Sequence, residues 1–345
     1  MNLPISILMV ASSIFFLWYG AEWLVKGASK LALGMNIKPI VIGLTVVAFG
    51  TSAPELVVSV SAAMSGTPQI ALANVIGSNL ANIALVLGIC ALITPIEIKK
   101  DTLKNDIPFL VLVSFLVYVL GRFGLASAEL GSGFGRVDGI IMLAFLAYFL
   151  IRIFIKNKDK GEIDPELQEI MAEKDTGGGR NILLVVAGAL FLVAGGHLLV
   201  DGGKFIAVQM GIPDYFIGLT MVALGTSLPE LAASGMAAYR KETDLCMGNV
   251  IGSNVLNLIL VLATAVIISP IAVSANIVAV QLPCMVGIVI FLYFLCRLSK
   301  LRLGRLQGAL LLLIYISFIA YSFISRGPVA AEPKDGVQVE VQQKA

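Results

Sequence analysis

Apolar runs of roughly helix-spanning length, parted by short polar breaks, account for most of the chain. A helix rises about 1.5 Å per residue and the hydrocarbon core of a bilayer is roughly 30 Å thick, so one crossing takes about 20 apolar residues. On that measure the runs at 5–25, 37–64, 70–95, 105–122, 137–155, 182–203, 213–239, 245–269, 275–297 and 305–325 predict ten transmembrane helices. The first run has no basic stretch ahead of it and passes into Glu22 and Lys26 without a small-residue cleavage site. It therefore predicts a retained span and not a cleaved leader. Residues 156–181 alternate Lys, Asp and Glu and contain three consecutive glycines from Gly177, which predicts a solvated linker. Residues 327–345 are polar with few large apolar groups and predict a disordered tail.

Composition agrees with this pattern. Hydrophobic residues make up 58% of the chain and charged residues 13%, with a mean hydropathy of +0.94. Soluble domains carry about 25% charged residues, so a water-soluble fold is excluded. The net charge of +2 is spread in short clusters and gives no sign of a nucleic-acid partner. Cys90, Cys246, Cys284 and Cys296 fall in or at the ends of apolar runs without disulfide or zinc spacing, and read as small core residues. With the N-terminus outside, 18 of the 24 Lys and Arg residues fall in cytoplasmic loops. Both termini are then expected outside and the 156–181 linker in the cytoplasm.

The chain also repeats itself at an offset of 175 residues. GLTVVAFGTSAPEL from Gly43 returns as GLTMVALGTSLPEL from Gly218, and NVIGSNLANIALVLG from Asn74 as NVIGSNVLNLILVLA from Asn249. Between 43–95 and 218–270, 26 of 53 positions are identical, among them Pro, Glu, Asn, Ser and Thr. Each half holds five predicted spans, and an odd number makes the second copy enter the membrane in the opposite sense. The expected fold is an all-α polytopic membrane protein of ten transmembrane helices, arranged as two inverted-topology five-helix repeats over 1–155 and 182–326. Transporters built this way bind their cargo near the midplane where the copies meet. A repeat kept only for packing is the plainer reading, but packing alone does not favour repeating the residues that cost most in lipid.

Those residues are Glu55 and Glu230, equivalent in the two copies and mid-span. A charge at the centre of a membrane helix costs at least about 2.5–3.5 kcal/mol. Neither span has a Lys or Arg in its middle, so a bound cation is the simplest counter-charge; a carboxyl kept protonated, as in a proton relay, is the competing reading. Thr51 shares a helix face with Glu55 and Ser52 lies beside it; Thr226, Ser227 and Glu230 repeat the arrangement. Pro54 and Pro229 each precede the acid and free carbonyls in the preceding turn, where Ala48 and Ala223 lie. The next span adds Ser78 and Asn82, and its copy Ser253 and Asn257, with Gly77 and Gly252 permitting close helix approach. Asn79 and Asn254 read as bridges between helices in preference to ligands. Carboxylate, hydroxyl, amide and carbonyl oxygens suit Ca²⁺ and Na⁺ and not zinc, copper or iron. The one histidine, His197, lies towards one end of its span and reads as packed or interfacial. With no histidine near the motif serines, an intramembrane hydrolase is disfavoured.

The doubled GTSxPE and GSNxxN segments, Gly50 to Glu55 with Gly77 to Asn82 and Gly225 to Glu230 with Gly252 to Asn257, resemble the two alpha-repeats of the cation/calcium exchanger superfamily, and most of all prokaryotic sodium/calcium exchangers. The resemblance implies Ca²⁺/Na⁺ antiport in the cell (inner) membrane by alternating access, the first and sixth helices sliding across a fixed core. Ca²⁺ and Na⁺ are then cargo, the bilayer is the surroundings, and no cofactor or obligate protein partner is expected. It further implies a midplane cluster of four ion sites. Carried over singly, its ligands are Glu55, Thr51, Ser52, Ser78, Asn82 and the Ala48 carbonyl, with Glu230, Thr226, Ser227, Ser253, Asn257 and the Ala223 carbonyl. Some members carry Asp where this chain has Asn257, so two formal charges remain here and not three. Ca²⁺/H⁺ and K⁺-dependent exchange stay open on this reading, because two protons also cancel two carboxylates.

Overall fold

The computed structural model describes residues 2–35, 37–124, 132–156, 178–210, 223–273 and 277–325. Twelve helical stretches are numbered here: α1 Leu3–Gly34, α2 Pro39–Thr51, α3 Ala53–Met64, α4 Pro68–Ile93, α5 Thr102–Phe123, α6 Arg136–Lys156, α7 Gly178–Gln209, α8 Ala223–Thr226, α9 Leu228–Tyr239, α10 Thr243–Ile268, α11 Ile277–Leu298 and α12 Arg305–Ser325. Among the described residues six of these are long and apolar enough to cross a membrane, and a seventh crossing is formed if α2 and α3, bent by 46°, count as one.

Helix ends depart from the predicted spans. α1 runs nine residues past 25, because Lys26 and Lys30 continue the helix although they end the apolar run. Asn2 caps its start, its side-chain oxygen accepting from the Ile5 N–H at 3.1 Å, with Pro4 in the first turn. The linker expected at 156–181 lies outside the described residues over 157–177; Lys156 closes α6, and 178–181, read as linker, form the first turn of α7. The first part of the span expected at 213–239 and the tail expected at 327–345 also lie outside the described residues. His197 is exposed and well inside α7, not packed at an end, since that helix continues six residues beyond its predicted limit. Cys284 is likewise exposed, whereas Cys90, Cys246 and Cys296 are buried.

The 175-residue offset relates element boundaries as well as residues: α1 and α7 are both 32 residues long and begin at Leu3 and Gly178. Four two-residue strands depart from the all-helical expectation. Ile96–Glu97 (β1) pairs antiparallel with Arg302–Leu303 (β4), and Gly133–Phe134 (β2) with Ile271–Ala272 (β3). β3 stands in the second half where β1 stands in the first, so each half's first strand pairs with the other half's second.

α1 and α7 cross along a stripe of small residues repeating every seven: Ser6, Ser13, Gly20 and Gly27 on one, Gly188, Gly195 and Gly202 on the other. Gly20 faces the backbone of Gly188 and Leu192, Gly27 that of Asn181, and Gly202 that of Ser6. Numbers rise along one helix as they fall along the other, so these equivalent helices run antiparallel. A seven-residue repeat keeps one seam in contact along both helices, and in lipid, where apolar contact alone brings little, small residues gain attraction by letting backbones approach. This pair is the least buried of the long helices, and α4 and α10, which carry the second motif of each half, are the most buried.

Polar contacts fix α1 to the turn between α9 and α10. Arg240 pairs with Glu22 at 2.8 Å, and the Ser29 hydroxyl donates to the Glu242 carboxylate. Burial pushes Glu242 above its ordinary value of 4.5, against the lowering effect of Ser29 and Arg240. The folded chain therefore holds this proton more tightly than the unfolded one, and stability falls as pH rises from about 4.5 through the raised value. Glu242→Gln is expected to flatten that slope in thermal unfolding of the detergent-solubilised protein; a slope equal to wild type would refute it.

Candidate functional site

The two motifs of each half reach one place by a helix break and a wide turn. Gly43–Val47 forms a π turn within α2, the helix stops at Thr51, and Ser52 leaves helical geometry with φ −82° and ψ 6°. Pro54 sits in the first turn of α3. Lacking an N–H, it leaves the Gly50 carbonyl without its helical donor. Ser227 repeats the break at φ −87° and ψ 4°, between α8 and α9, with Pro229 in the next turn. In α4 and α10 the motif asparagines lie in π turns, Asn82 in Ala81–Val86 and Asn257 opening Asn257–Val261. Such turns are rare and frequent at functional sites.

The expectation that the proline releases the Ala48 carbonyl needs correction. That oxygen accepts from the Ser52 N–H at 2.9 Å and lies 3.3 Å from the Thr51 hydroxyl, within its reach; the carbonyl deprived of its donor is that of Gly50. Ala223 begins α8.

Glu55 and Glu230 each occupy the first turn after the break and are fully buried. They lie within electrostatic reach of one another, with Thr226 beside Glu55, and Thr51 and Ser253 beside Glu230. Ser52 donates to Glu230 Oε1 at 3.0 Å, so a hydroxyl of the first half holds the acid of the second. Ser78 approaches Glu55 Oε1 at 3.5 Å. Thr51 Oγ1 is 3.3 Å from Ser253 Oγ. This contact requires a close crossing: a Cβ on Gly252 would stand 2.6 Å from the Leu44 carbonyl oxygen.

Glu55 Oε2, Glu230 Oε2, Ser227 Oγ and both amide atoms of Asn82 and of Asn257 are buried without a hydrogen-bond partner among the described residues. An unsatisfied buried polar atom costs about 1–3 kcal/mol, more when charged, so their concentration here calls for an explanation. Among the described residues neither carboxylate has a Lys or Arg partner. All ten site side chains named from the motifs are buried. Hydrogen bonds or close contacts link Glu55, Glu230, Thr51, Ser52, Thr226, Ser78 and Ser253 to one another; none ties Ser227, Asn82 or Asn257 to the carboxylates. Asn79 reaches Met285 Sδ on α11 at 3.9 Å, bridging helices as expected, whereas Asn254 bonds the Val250 carbonyl of its own helix.

Two residues of the site are not among those read from the sequence as ligands. Asn74 and Asn249 contact Thr226 and Thr51 across the halves, supported by Ser59 and Ser234. Their signal was available: all four positions are identical between the copies.

Residues 5–155 and 180–324 match the sodium/calcium exchanger protein family. The chain belongs to that family. It is 38% identical over 317 residues to the putative antiporter CaxA of Alkalimonas amylolytica, covering 91% of this chain and 97% of that protein. It is 30% identical over 349 residues to the sodium/calcium exchanger MaX1 of Methanosarcina acetivorans, covering 93% and 99%. The sodium-calcium exchanger NCX_Mj, soaked with 10 mM Na⁺ and 10 mM Sr²⁺, superposes with a TM-score of 0.78 at 33% identity, over 92% of this chain and 99% of that one. Membership of this prokaryotic branch of the exchanger family is what the doubled motif implied.

Proposed function

We propose that this family member exchanges Ca²⁺ for Na⁺ across the cell membrane by alternating access, binding the ions between its halves at Glu55 and Glu230. One observation carries the reading: two fully buried, symmetry-matched carboxylates lie close together, each with an oxygen that has no hydrogen-bond partner among the described residues. Two negative charges are neutralised by one Ca²⁺ or by two Na⁺, whereas the empty pair leaves bare charge in low dielectric. The unloaded carrier therefore crosses poorly, and that couples the two fluxes.

The remaining donors are the hydroxyls of Thr51, Ser52, Thr226, Ser227, Ser78 and Ser253, the amide oxygens of Asn82 and Asn257, and the carbonyls of Ala48 and Ala223. The Ala48 carbonyl joins only when the Thr51 hydroxyl turns away from it. The scaffold is ten spans in two inverted five-helix halves, with both termini outside and 156–181 in the cytoplasm. The names of MaX1 and NCX_Mj support Na⁺ as the counter-ion.

Proton coupling is the second reading, favoured by the Ca(2+)/H(+) antiporter ChaA of Bacillus subtilis, 25% identical over 262 residues. Proteoliposomes decide between them. Ca²⁺ uptake is expected when an outward Na⁺ gradient is imposed at equal pH on both sides; uptake driven only by a pH gradient would reject Na⁺ coupling, and Ca²⁺ conduction without any counter-ion would indicate a channel.

A further inference from the structure

A hydroxyl that ligates a cation turns a lone pair towards it and must hand its proton to another acceptor. Thr51 Oγ1 donates to Asn249 Oδ1 at 3.2 Å, and Thr226 Oγ1 to Asn74 Oδ1 at 3.3 Å. An amide oxygen only accepts, so in each of these contacts the threonine is the donor; the asparagine competes for that proton with the Ala48 carbonyl and Glu230 at Thr51, and with Glu55 at Thr226. The other end of each amide meets a serine hydroxyl, and for Asn74 also a backbone carbonyl, which only accepts and so sets the orientation of that amide. Asn249 Nδ2 donates to Ser234 Oγ at 2.9 Å, and Asn74 Nδ2 to Ser59 Oγ at 3.1 Å, with the Glu55 carbonyl 3.4 Å away. The relay serine–asparagine–threonine occurs twice, and each time it crosses from one half to the other.

We propose that Asn74 and Asn249 are positioning residues of the ion site, each taking the hydroxyl proton of the opposite half's threonine so that the lone pairs of Thr226 and Thr51 face the ion. The proposal rests on the ion site assigned above. Without Asn249, the Thr51 proton turns to the Ala48 carbonyl at 3.3 Å, the Ser253 hydroxyl at 3.3 Å or the neighbouring Glu230 carboxylate; the first and last tie up an oxygen the ion needs, and the second leaves a donor beside it. Groups that orient metal ligands from behind typically carry about 10–100-fold in affinity when removed.

The test is a set of mutant cycles on the full chain, reading the affinity for Ca²⁺ alone by calorimetry and the Ca²⁺ concentration for half-maximal uptake in proteoliposomes. Asn249→Ala and Thr51→Val are each expected to weaken Ca²⁺ about tenfold or more. The double variant Asn249→Ala/Thr51→Val is expected to be no weaker than Thr51→Val, because no hydroxyl remains to be aimed. Asn249→Ala/Thr226→Val is expected to multiply the two effects, and the mirror pattern to hold for Asn74. Ser234→Ala and Ser59→Ala, which disturb only the far end of each amide, are expected to give smaller losses that vanish in the Thr51→Val and Thr226→Val backgrounds respectively. Multiplicative effects in the matched pairs would overturn the orienting role. Wild-type affinity in Glu55→Gln and Glu230→Gln would instead remove the ion site itself, so the two failures are distinguishable.

Discussion

Glu55→Gln and Glu230→Gln are each expected to reduce Na⁺-driven Ca²⁺ uptake by at least about a hundredfold while the protein still purifies as a monodisperse, folded species. The amide keeps the shape of the carboxyl, and its oxygen still accepts from Ser52 at the place of Glu230 Oε1, so the helix break and packing have no reason to change. What changes is the charge. One carboxylate cannot neutralise Ca²⁺, and an uncompensated buried charge costs about 3–5 kcal/mol, which corresponds to at least a hundredfold in binding. Both positions are fully buried and neither has a basic neighbour among the described residues, so no protein cation replaces the ion as counter-charge to the remaining carboxylate. The measurements are Ca²⁺ uptake in vesicles and the elution profile of the same preparations. Wild-type uptake in both variants would refute the site; loss of uptake together with aggregation would show instead that the acids are structural.

Much of this arrangement is legible in the sequence because its two strongest signals need no tertiary information. Apolar runs find the spans wherever the polar breaks coincide with helix ends. They fail where the helix continues through charge, as α1 does through Lys26 and Lys30, and where it begins in glycine, as α7 does at Gly178. Hydropathy marks the bilayer; hydrogen bonding ends the helix. The internal repeat points to the candidate site, because packing alone does not favour the same costly residues at the same offset, and all ten motif side chains are buried.

Less visible are features that exist only once the halves meet. Pro54 announces a break, but which carbonyl goes without a donor depends on where the helix restarts, and the Ala48 oxygen turns out to be held by Ser52, with the Thr51 hydroxyl within reach. The Arg240–Glu22 pair and the two-residue strands join segments far apart in sequence and leave no local pattern. Asn74 and Asn249 stand at the head of the repeated NVIGSN segment. Their contacts run to the opposite copy, and periodicity within one helix cannot show that.

Gly252→Ala is expected to damage both fold and site, for one geometric reason. The added Cβ would lie 2.6 Å from the Leu44 carbonyl oxygen, 2.7 Å from its Cα and 2.8 Å from the Ala48 Cβ. Two of these three are backbone atoms, so no rotamer change relieves the clash, and α10 must move away from α2. Overpacking of this kind typically costs about 1–3 kcal/mol. The same movement lengthens the contacts of Thr51 with Ser253 and Asn249, now 3.3 and 3.2 Å, because both partners flank position 252 on α10. A lower thermal unfolding midpoint and weaker Ca²⁺ affinity are therefore expected together. Gly287→Ala is the control. That glycine is on the exposed face of α11 with open space around its Cβ position, and Leu112 occupies the equivalent place in the first half, so neither quantity is expected to change. If Gly252→Ala instead lowers the midpoint with Ca²⁺ affinity intact, the crossing of α2 and α10 supports the fold without setting the ion-binding geometry, and the threonine–serine contact between the halves loses its role in the site.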